Sequence, residues 1–207
     1  MTAQPPASLP EPSDKGSGAR GLPSKEDLLA ALPPRLAARP FDERRGIPIP
    51  WMNMRPEDPY DIAGEPTVPD YTAIWGPTVL RCVRNRLCGI CGGDLGYRFA
   101  FIGGPKSAAN RMYNDPPFCL ECAEAAMTLC PHIAIGHHQR APEHRMTGNL
   151  TVQPGFDASR SQEWVMGITR DYKLVDNRGV PAIKAGTFTK VRRFTYQDRV
   201  LVEIVRT

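Results

Sequence analysis

The sequence predicts a mixed α+β protein, and three features lead to that prediction. Two Cys-x2-Cys pairs lie near the middle of the 207-residue chain. A short helical pattern follows Ser24, and runs of alternating or β-branched residues dominate the chain after residue 160. The 22 prolines favour short elements joined by turns and extended segments rather than long helices.

The N-terminal part of the chain is expected to contribute little regular structure. Residues 1–23 are rich in Pro, Ser, Gly and Ala and have almost no large apolar residue, which predicts a disordered tail. Ser24 is expected to cap a short helix that Pro33 and Pro34 end. Residues 24–81 as a whole are predicted to form this helix and an extended arm of prolines and large apolar side chains that wraps over a core.

The C-terminal part, residues 146–207, is predicted to form an antiparallel β module. Its strand-like runs are separated by "DNRG" and "YQDR", which are good turn sequences. Three or four strands in a meander, or a small barrel, are the simplest arrangement. We expect this module to pack with the preceding cysteine-rich region as one unit.

The cysteine pairs Cys88/Cys91 and Cys119/Cys122 are separated by 27 residues. Two thiolates that are two residues apart converge readily on one ion, and four thiolates satisfy tetrahedral zinc. Glycine after Cys91 permits a tight turn and lets backbone N–H groups approach the sulfurs. The spacing therefore predicts a zinc-binding module over residues 82–145, with Zn²⁺ in a structural role.

Several alternatives at this site stay open. Four cysteines also ligate iron–sulfur clusters, and a single Cys-x2-Cys pair occurs in thioredoxin-like redox sites, although those lie in a βαβ context. Cys82 and Cys130 are expected to be buried thiols, with a ligand role as the alternative. Four histidines present a similar choice: each is either a solvated or packed side chain or a metal ligand. They are His132, His137, His138 and His144.

The order of these motifs resembles the treble-clef zinc finger family over residues 86–131. "LCGICGG" has the form of a zinc knuckle, a β segment follows, and "PPFCLECAEAAMTLCPH" places the second pair at the start of a helix. The resemblance implies a metal-binding scaffold, which in that family serves nucleic-acid binding, protein binding or nuclease activity. Together with "RPFDERRGIPIPW", the arrangement also resembles small uncharacterised proteins of high-GC actinobacteria and their phages, which implies no activity.

A non-catalytic protein is the favoured interpretation of these motifs. Zinc held by four thiolates has no open position for water or substrate. HNH-type nucleases, which the resemblance brings into consideration, place a histidine base between the two cysteine pairs, and this sequence has none between Cys91 and Cys119. An HNH-like metal-dependent nuclease or another enzyme is kept as the alternative, with no catalytic residue and no small-molecule substrate identified.

Two kinds of macromolecular partner are considered. Residues 160–207 carry ten basic and five acidic side chains, and such a basic region either binds DNA or RNA or is a solvated basic face. The candidate contact residues are Arg84, Arg86, Arg98, Arg111, Lys190, Arg192 and Arg193. Phe188, Phe194 and Tyr196 form either a base-stacking surface or part of the β core.

The other candidate is a protein partner or a second copy of the chain, contacted through the arm at 40–77. The sequence has no apolar run approaching ~18 residues, so no membrane-spanning helix is expected. The N-terminus lacks the pattern of a secretory signal, and a cytoplasmic location is the expectation.

Overall fold

The computed structural model describes residues 24–58, 61, 63–70, 74–134 and 161–205. The predicted tail at 1–23 lies outside these ranges. In the described ranges the helices are α1 Lys25–Ala31, α2 Pro34–Ala37, α3 Gly76–Asn85, α4 Pro105–Asn110, α5 Leu120–Leu129 and α6 Pro131–Ala134, with a 3₁₀ helix at Trp51–Asn53. The strands are β1 Phe41–Asp42, β2 Ile47–Pro48, β3 Met54–Arg55, β4 Val68–Pro69, β5 Phe99–Gly103, β6 Met112–Tyr113, β7 Phe118–Cys119, β8 Glu163–Thr169, β9 Tyr172–Asn177, β10 Val180–Ala185, β11 Lys190–Gln197 and β12 Val200–Glu203.

The predicted first helix is confirmed. The hydroxyl oxygen of Ser24 accepts a hydrogen bond from the backbone N–H of Asp27 at 3.1 Å, and α1 ends before Pro33. This contact satisfies one of the N–H groups that a helix start leaves without an intrahelical partner. None of the α1 residues is fully buried, whereas Leu36 of α2 enters the core.

Over its described residues, the arm after α2 is organised in short pairs of strands and a 3₁₀ helix. Strand β1 pairs with β2, and β3 pairs with β4. The buried hydroxyl of Thr78 on α3 donates to the carbonyl oxygen of Met54 at 3.0 Å, which fastens the arm to that helix. The arm is therefore part of the folded body over its described residues.

The central sheet has five antiparallel strands in the order β12-β11-β8-β5-β7. The residues of strand β5 from Phe99 to Ile102 are all buried, because both faces of this sheet are covered. Tyr97 precedes the strand and is 72% exposed.

A second sheet, in the order β6-β10-β9, covers one face of the central sheet. Aromatic rings fill the space between them: Phe101 stacks on Tyr113 with centroids 4.7 Å apart, and Phe99 meets Tyr172 edge-on at 5.4 Å. On the opposite face, the hydroxyl of Tyr196 donates to the carbonyl oxygen of Ile133 in α6. The central sheet thus lies between helices and a second sheet.

The C-terminal strands are antiparallel, as predicted, but the described residues form five of them and they divide over two sheets, whereas three or four strands in one meander or small barrel were expected. Strand β8 pairs with β11 and with β5, while β9 and β10 form a hairpin in the second sheet. Strand β8 is apolar on both faces, since Trp164, Val165 and Met166 are all buried, which is typical of a strand in a sheet covered on both faces. Strand β5 pairs with it, so the cysteine-rich region and the C-terminal strands share one sheet.

Candidate metal centre

The first cysteine pair lies in a tight loop between α3 and β5. Leu87 and Asp94 form an isolated antiparallel bridge across the base of the loop, and the N–H of Cys88 donates to the carbonyl oxygen of Gly93 at 2.7 Å. Gly92 has a φ of +75°, a left-handed conformation that a residue with a Cβ adopts only at a cost. The loop brings the side chains of Cys88 and Cys91 to the same side.

The second pair lies where β7 passes into α5. Cys119 pairs with Phe99 in the sheet and is also the N-cap residue of α5, and Cys122 lies in the first turn of that helix. A helix start presents unpaired N–H groups and the positive end of the helix dipole, both of which stabilise thiolates. One pair is thus carried by a loop and the other by the start of a helix, with β5 between them in the chain.

The four cysteine sulfurs converge, and all lie within 4.8 Å of one another. A tetrahedral zinc–thiolate site has sulfurs about 3.8 Å apart, as follows from Zn–S bonds of about 2.3 Å. Cys88, Cys91 and Cys122 are buried and Cys119 is half-buried. The donor set, its spacing and its burial fit one four-coordinate metal ion such as Zn²⁺.

Backbone N–H groups also point at the sulfurs, as the glycines of the loop led us to expect. The N–H of Cys119 donates to the Sγ of Cys88 at 3.3 Å. Beside the neighbouring thiols, the backbone N–H of Gly93 lowers the pKa of Cys91, and that of Cys122 lowers the pKa of Cys119. Hydrogen bonds of this kind stabilise the thiolate forms that bind metal.

The four thiols of the cluster cannot all be ionised at once without a cation between them. Hydrogen bonds from Cys119 and Cys122 hold the pKa of Cys91 well below its usual value, and bonds from Cys122 and Cys88 lower that of Cys119. The pKa values of Cys88 and Cys122 are raised, chiefly by the hydrogen bond that each shares with Cys119. Neighbouring thiolates repel, so four of them coexist only around a positive ion.

The remaining candidate ligands stay outside the cluster in the part of the chain that the structure describes. Cys82 is fully buried in α3, and burial raises the pKa of its thiol to about 12. Burial also raises the pKa of Cys130, which follows α5. The ring of His132 contacts Trp164 edge-on at 5.6 Å. His137, His138 and His144 lie outside the described residues.

The loop that carries Cys88 and Cys91, here called the knuckle loop, is held by two contacts that the sequence did not predict. The N–H groups of Trp51 and Met52 donate to the carbonyl oxygens of Ile90 and Gly89, both at 2.8 Å. The Trp51 ring lies so close to Gly92 that a Cβ there would stand 3.0 Å from it. Trp51 and the glycine-rich loop lie about forty residues apart in the chain, and nothing in the sequence indicates that these two segments meet.

The basic residues proposed for nucleic-acid binding occupy different environments. Arg84, Arg86, Arg98 and Lys190 are exposed, and Arg111 is half-exposed with its guanidinium 3.3 Å from the Thr187 hydroxyl. The guanidinium of Arg86 lies over the ring of Phe99 at 5.2 Å.

The other two proposed residues form ion pairs with acidic side chains of the same chain, at its partly exposed surface. Arg192 binds Glu203 and Glu124, and Arg193 binds Glu163 at 2.6 Å. The aromatic residues between these cations pack inward: Phe194 is buried, and Tyr196 and Phe188 pack against the core. Of the two roles considered for these three rings, the structure places them in the core.

Comparison with models of known protein families, with curated proteins and with solved structures gives no match to this chain. The likenesses to treble-clef fingers and to actinobacterial and phage proteins are thus resemblances of sequence that these comparisons do not support. Among the described residues, every helix is too short or too polar to cross a membrane.

Proposed function

We propose that Cys88, Cys91, Cys119 and Cys122 hold one structural Zn²⁺ ion and that the protein is a non-catalytic module organised by this ion. The observation that supports the proposal is the convergence of four largely buried sulfurs within 4.8 Å. A site filled by four protein thiolates leaves zinc no position for an activated water. Such an ion contributes to folding rather than to turnover.

The position of the four cysteines explains why a metal is useful there. One pair lies on the loop between α3 and β5, and the other joins the edge strand β7 to α5. An ion bound by both pairs cross-links the loop, the sheet and the helix that covers it. The arm depends on the same ion indirectly, because Trp51 and Met52 bind the loop.

Elemental analysis of the purified protein tests this proposal. We expect about one zinc per chain and no iron, with the zinc lost in Cys122→Ser and retained in Cys130→Ser, since Cys130 lies outside the cluster. Cys122→Ser should also lose the cooperative unfolding transition. A folded Cys122→Ser protein with full zinc would refute the assignment. Iron at one or more atoms per chain would show instead that the four cysteines hold iron or an iron–sulfur cluster.

Nucleic-acid binding is a second candidate, favoured by one surface feature. Tyr97 is 72% exposed beside the knuckle loop, and the guanidinium of Arg170 lies over its ring at 4.8 Å. The neighbouring Arg98 is exposed as well. An exposed aromatic ring among cations is the arrangement on which single-stranded bases stack. The nuclease alternative stays a prediction without a supporting feature among the described residues.

A further inference from the structure

Exposed apolar side chains are concentrated at one edge of the central sheet. Among the described residues, six large apolar side chains are exposed, and four of them lie on β11, on β12 or directly after β12. They are Val191 at 45%, Val200 at 62%, Ile204 at 37% and Val205 at 79%. Single exposed apolar residues are ordinary, but a group of this kind marks an interaction surface.

The edge itself also offers unpaired backbone groups. Strand β12 pairs with β11, and no other described strand lies on its far side. The N–H of Ile204 donates to the carbonyl oxygen of Arg193 at 2.8 Å. Backbone groups alternate in direction along an antiparallel strand, so those of Val200, Val202 and Ile204 face β11. Those of Leu201 and Glu203 therefore point outward, available to a further strand.

We propose that β12 pairs with β12 of a second copy of this chain, antiparallel and about a two-fold axis beside Val202. In this register Leu201 and Glu203 of one copy exchange hydrogen bonds with Glu203 and Leu201 of the other. The two Val202 residues then form a closely spaced pair without hydrogen bonds. The two five-stranded sheets become one continuous sheet across the dimer.

The side chains of the edge are complementary to themselves in this register. Val200 lies directly opposite Ile204 of the second copy, and the same contact is repeated by symmetry, which covers two of the exposed apolar residues of this edge. Glu203 lies diagonally across from Arg199 of the second copy, within reach of long side chains.

The like-charged contact that the register creates is already neutralised. The two Glu203 side chains are diagonal neighbours across the axis, but each is bound through both carboxylate oxygens by Arg192 of its own chain. The apolar and charged positions of residues 199–204 therefore match a second copy of the same strand.

Sedimentation velocity at about 100 µM protein tests the proposal, because a dimer responds to concentration by mass action. We expect the wild type to sediment at twice the 22.9 kDa chain mass. The double variant V200K/I204K places like charges opposite each other and should sediment as a monomer. The variant V200K/I204E places opposite charges there and should return to the dimer. L174K, which changes an exposed apolar residue on β9, is the matched control and should leave the dimer intact.

A cysteine at the axis tests the register independently of charge. Val202→Cys brings two thiols into a closely spaced strand pair, the geometry in which a disulfide forms under mild oxidation. We expect a covalent dimer for Val202→Cys and none for Leu174→Cys or the wild type. A wild type that stays monomeric at this concentration overturns the proposal. A V200K/I204K protein that stays dimeric while Val202→Cys fails to cross-link overturns it as well. Neither result bears on the metal site.

Discussion

Arg192 and Glu203 form a two-point ion pair across neighbouring strands. The Nε of Arg192 donates to one carboxylate oxygen of Glu203 at 2.8 Å, and its Nη2 donates to the other at 2.7 Å. The remaining guanidinium nitrogen, Nη1, donates to Glu124 on α5 at 3.0 Å. One side chain thus connects β11, β12 and the helix whose first turn carries Cys122.

The planar guanidinium is what makes this three-element contact possible. We therefore expect Arg192→Lys to lower the free energy of unfolding by about 0.5–1 kcal/mol, because lysine keeps the charge but loses the two-point geometry. Urea denaturation of Arg192→Lys, Glu203→Gln and the double variant measures the coupling. If the two single effects simply add, the side chains are not coupled and this contact is not stabilising.

The same pair predicts a pH dependence. The hydrogen bond from Arg192 lowers the pKa of Glu203 below its usual value of 4.5. A carboxyl group whose pKa is lower in the folded state stabilises the protein above its unfolded pKa, and this contribution is lost as the pH falls through the folded pKa. NMR titration should therefore give Glu203 a pKa below 4.5 in the wild type and a pKa closer to 4.5 in Arg192→Lys. An unchanged value in the variant would exclude Arg192 as the cause.

Substitutions of Gly92 and Gly96 distinguish the cost of backbone strain from the cost of a side-chain clash at the knuckle loop. Both have positive φ angles, +75° and +72°, but a Cβ at Gly96 meets nothing within 4 Å whereas one at Gly92 lies 3.0 Å from Trp51. We expect Gly96→Ala to destabilise the protein by about 1 kcal/mol and Gly92→Ala by at least about 2 kcal/mol.

Thermal unfolding of the zinc-loaded proteins measures the difference between these two glycine variants. Replacing Trp51 with alanine in the Gly92→Ala background should remove the excess cost. Equal effects of the two glycine substitutions in the wild-type background would mean that the Trp51 ring does not constrain the loop.

The exposed Tyr97 surface predicts how nucleic-acid binding should behave. We expect a labelled single strand of DNA or RNA to bind with an affinity that falls steeply between about 50 and 200 mM salt. Tyr97→Ala should weaken binding through lost stacking, and Arg98→Ala should weaken it and reduce the salt slope. Arg193→Ala is the control, because that side chain is paired with Glu163. Binding that is absent at low salt, or insensitive to Tyr97→Ala and Arg98→Ala, would remove this candidate.

Local features of the chain could be predicted from the sequence, and non-local ones could not. The cap at Ser24 and the turns after Asn177 and Gln197 depend on neighbouring residues, and the structure has them where the sequence placed them. The convergence of the four cysteines followed from their spacing. These features involve interactions within a few residues or a well-known ligand pattern.

The strand order and the support of the site depend on segments far apart in the chain. The pairing of β5 with β8 joins residues more than sixty positions apart, and the sequence offered a nearer partner for β8 in β9. The contact between Trp51 and the knuckle loop is of the same kind. The pairing of Arg192 and Arg193 with acidic residues depends on this strand order too, so their basic character alone suggested a free cationic surface.

X-ray absorption at the zinc edge of the purified protein measures the metal's ligands. We expect about four sulfur scatterers at about 2.3 Å from the metal and no nitrogen or oxygen in the first coordination sphere. Fewer than four sulfurs, with a light-atom ligand completing the shell, would contradict a closed structural site and would point to an open, reactive metal instead.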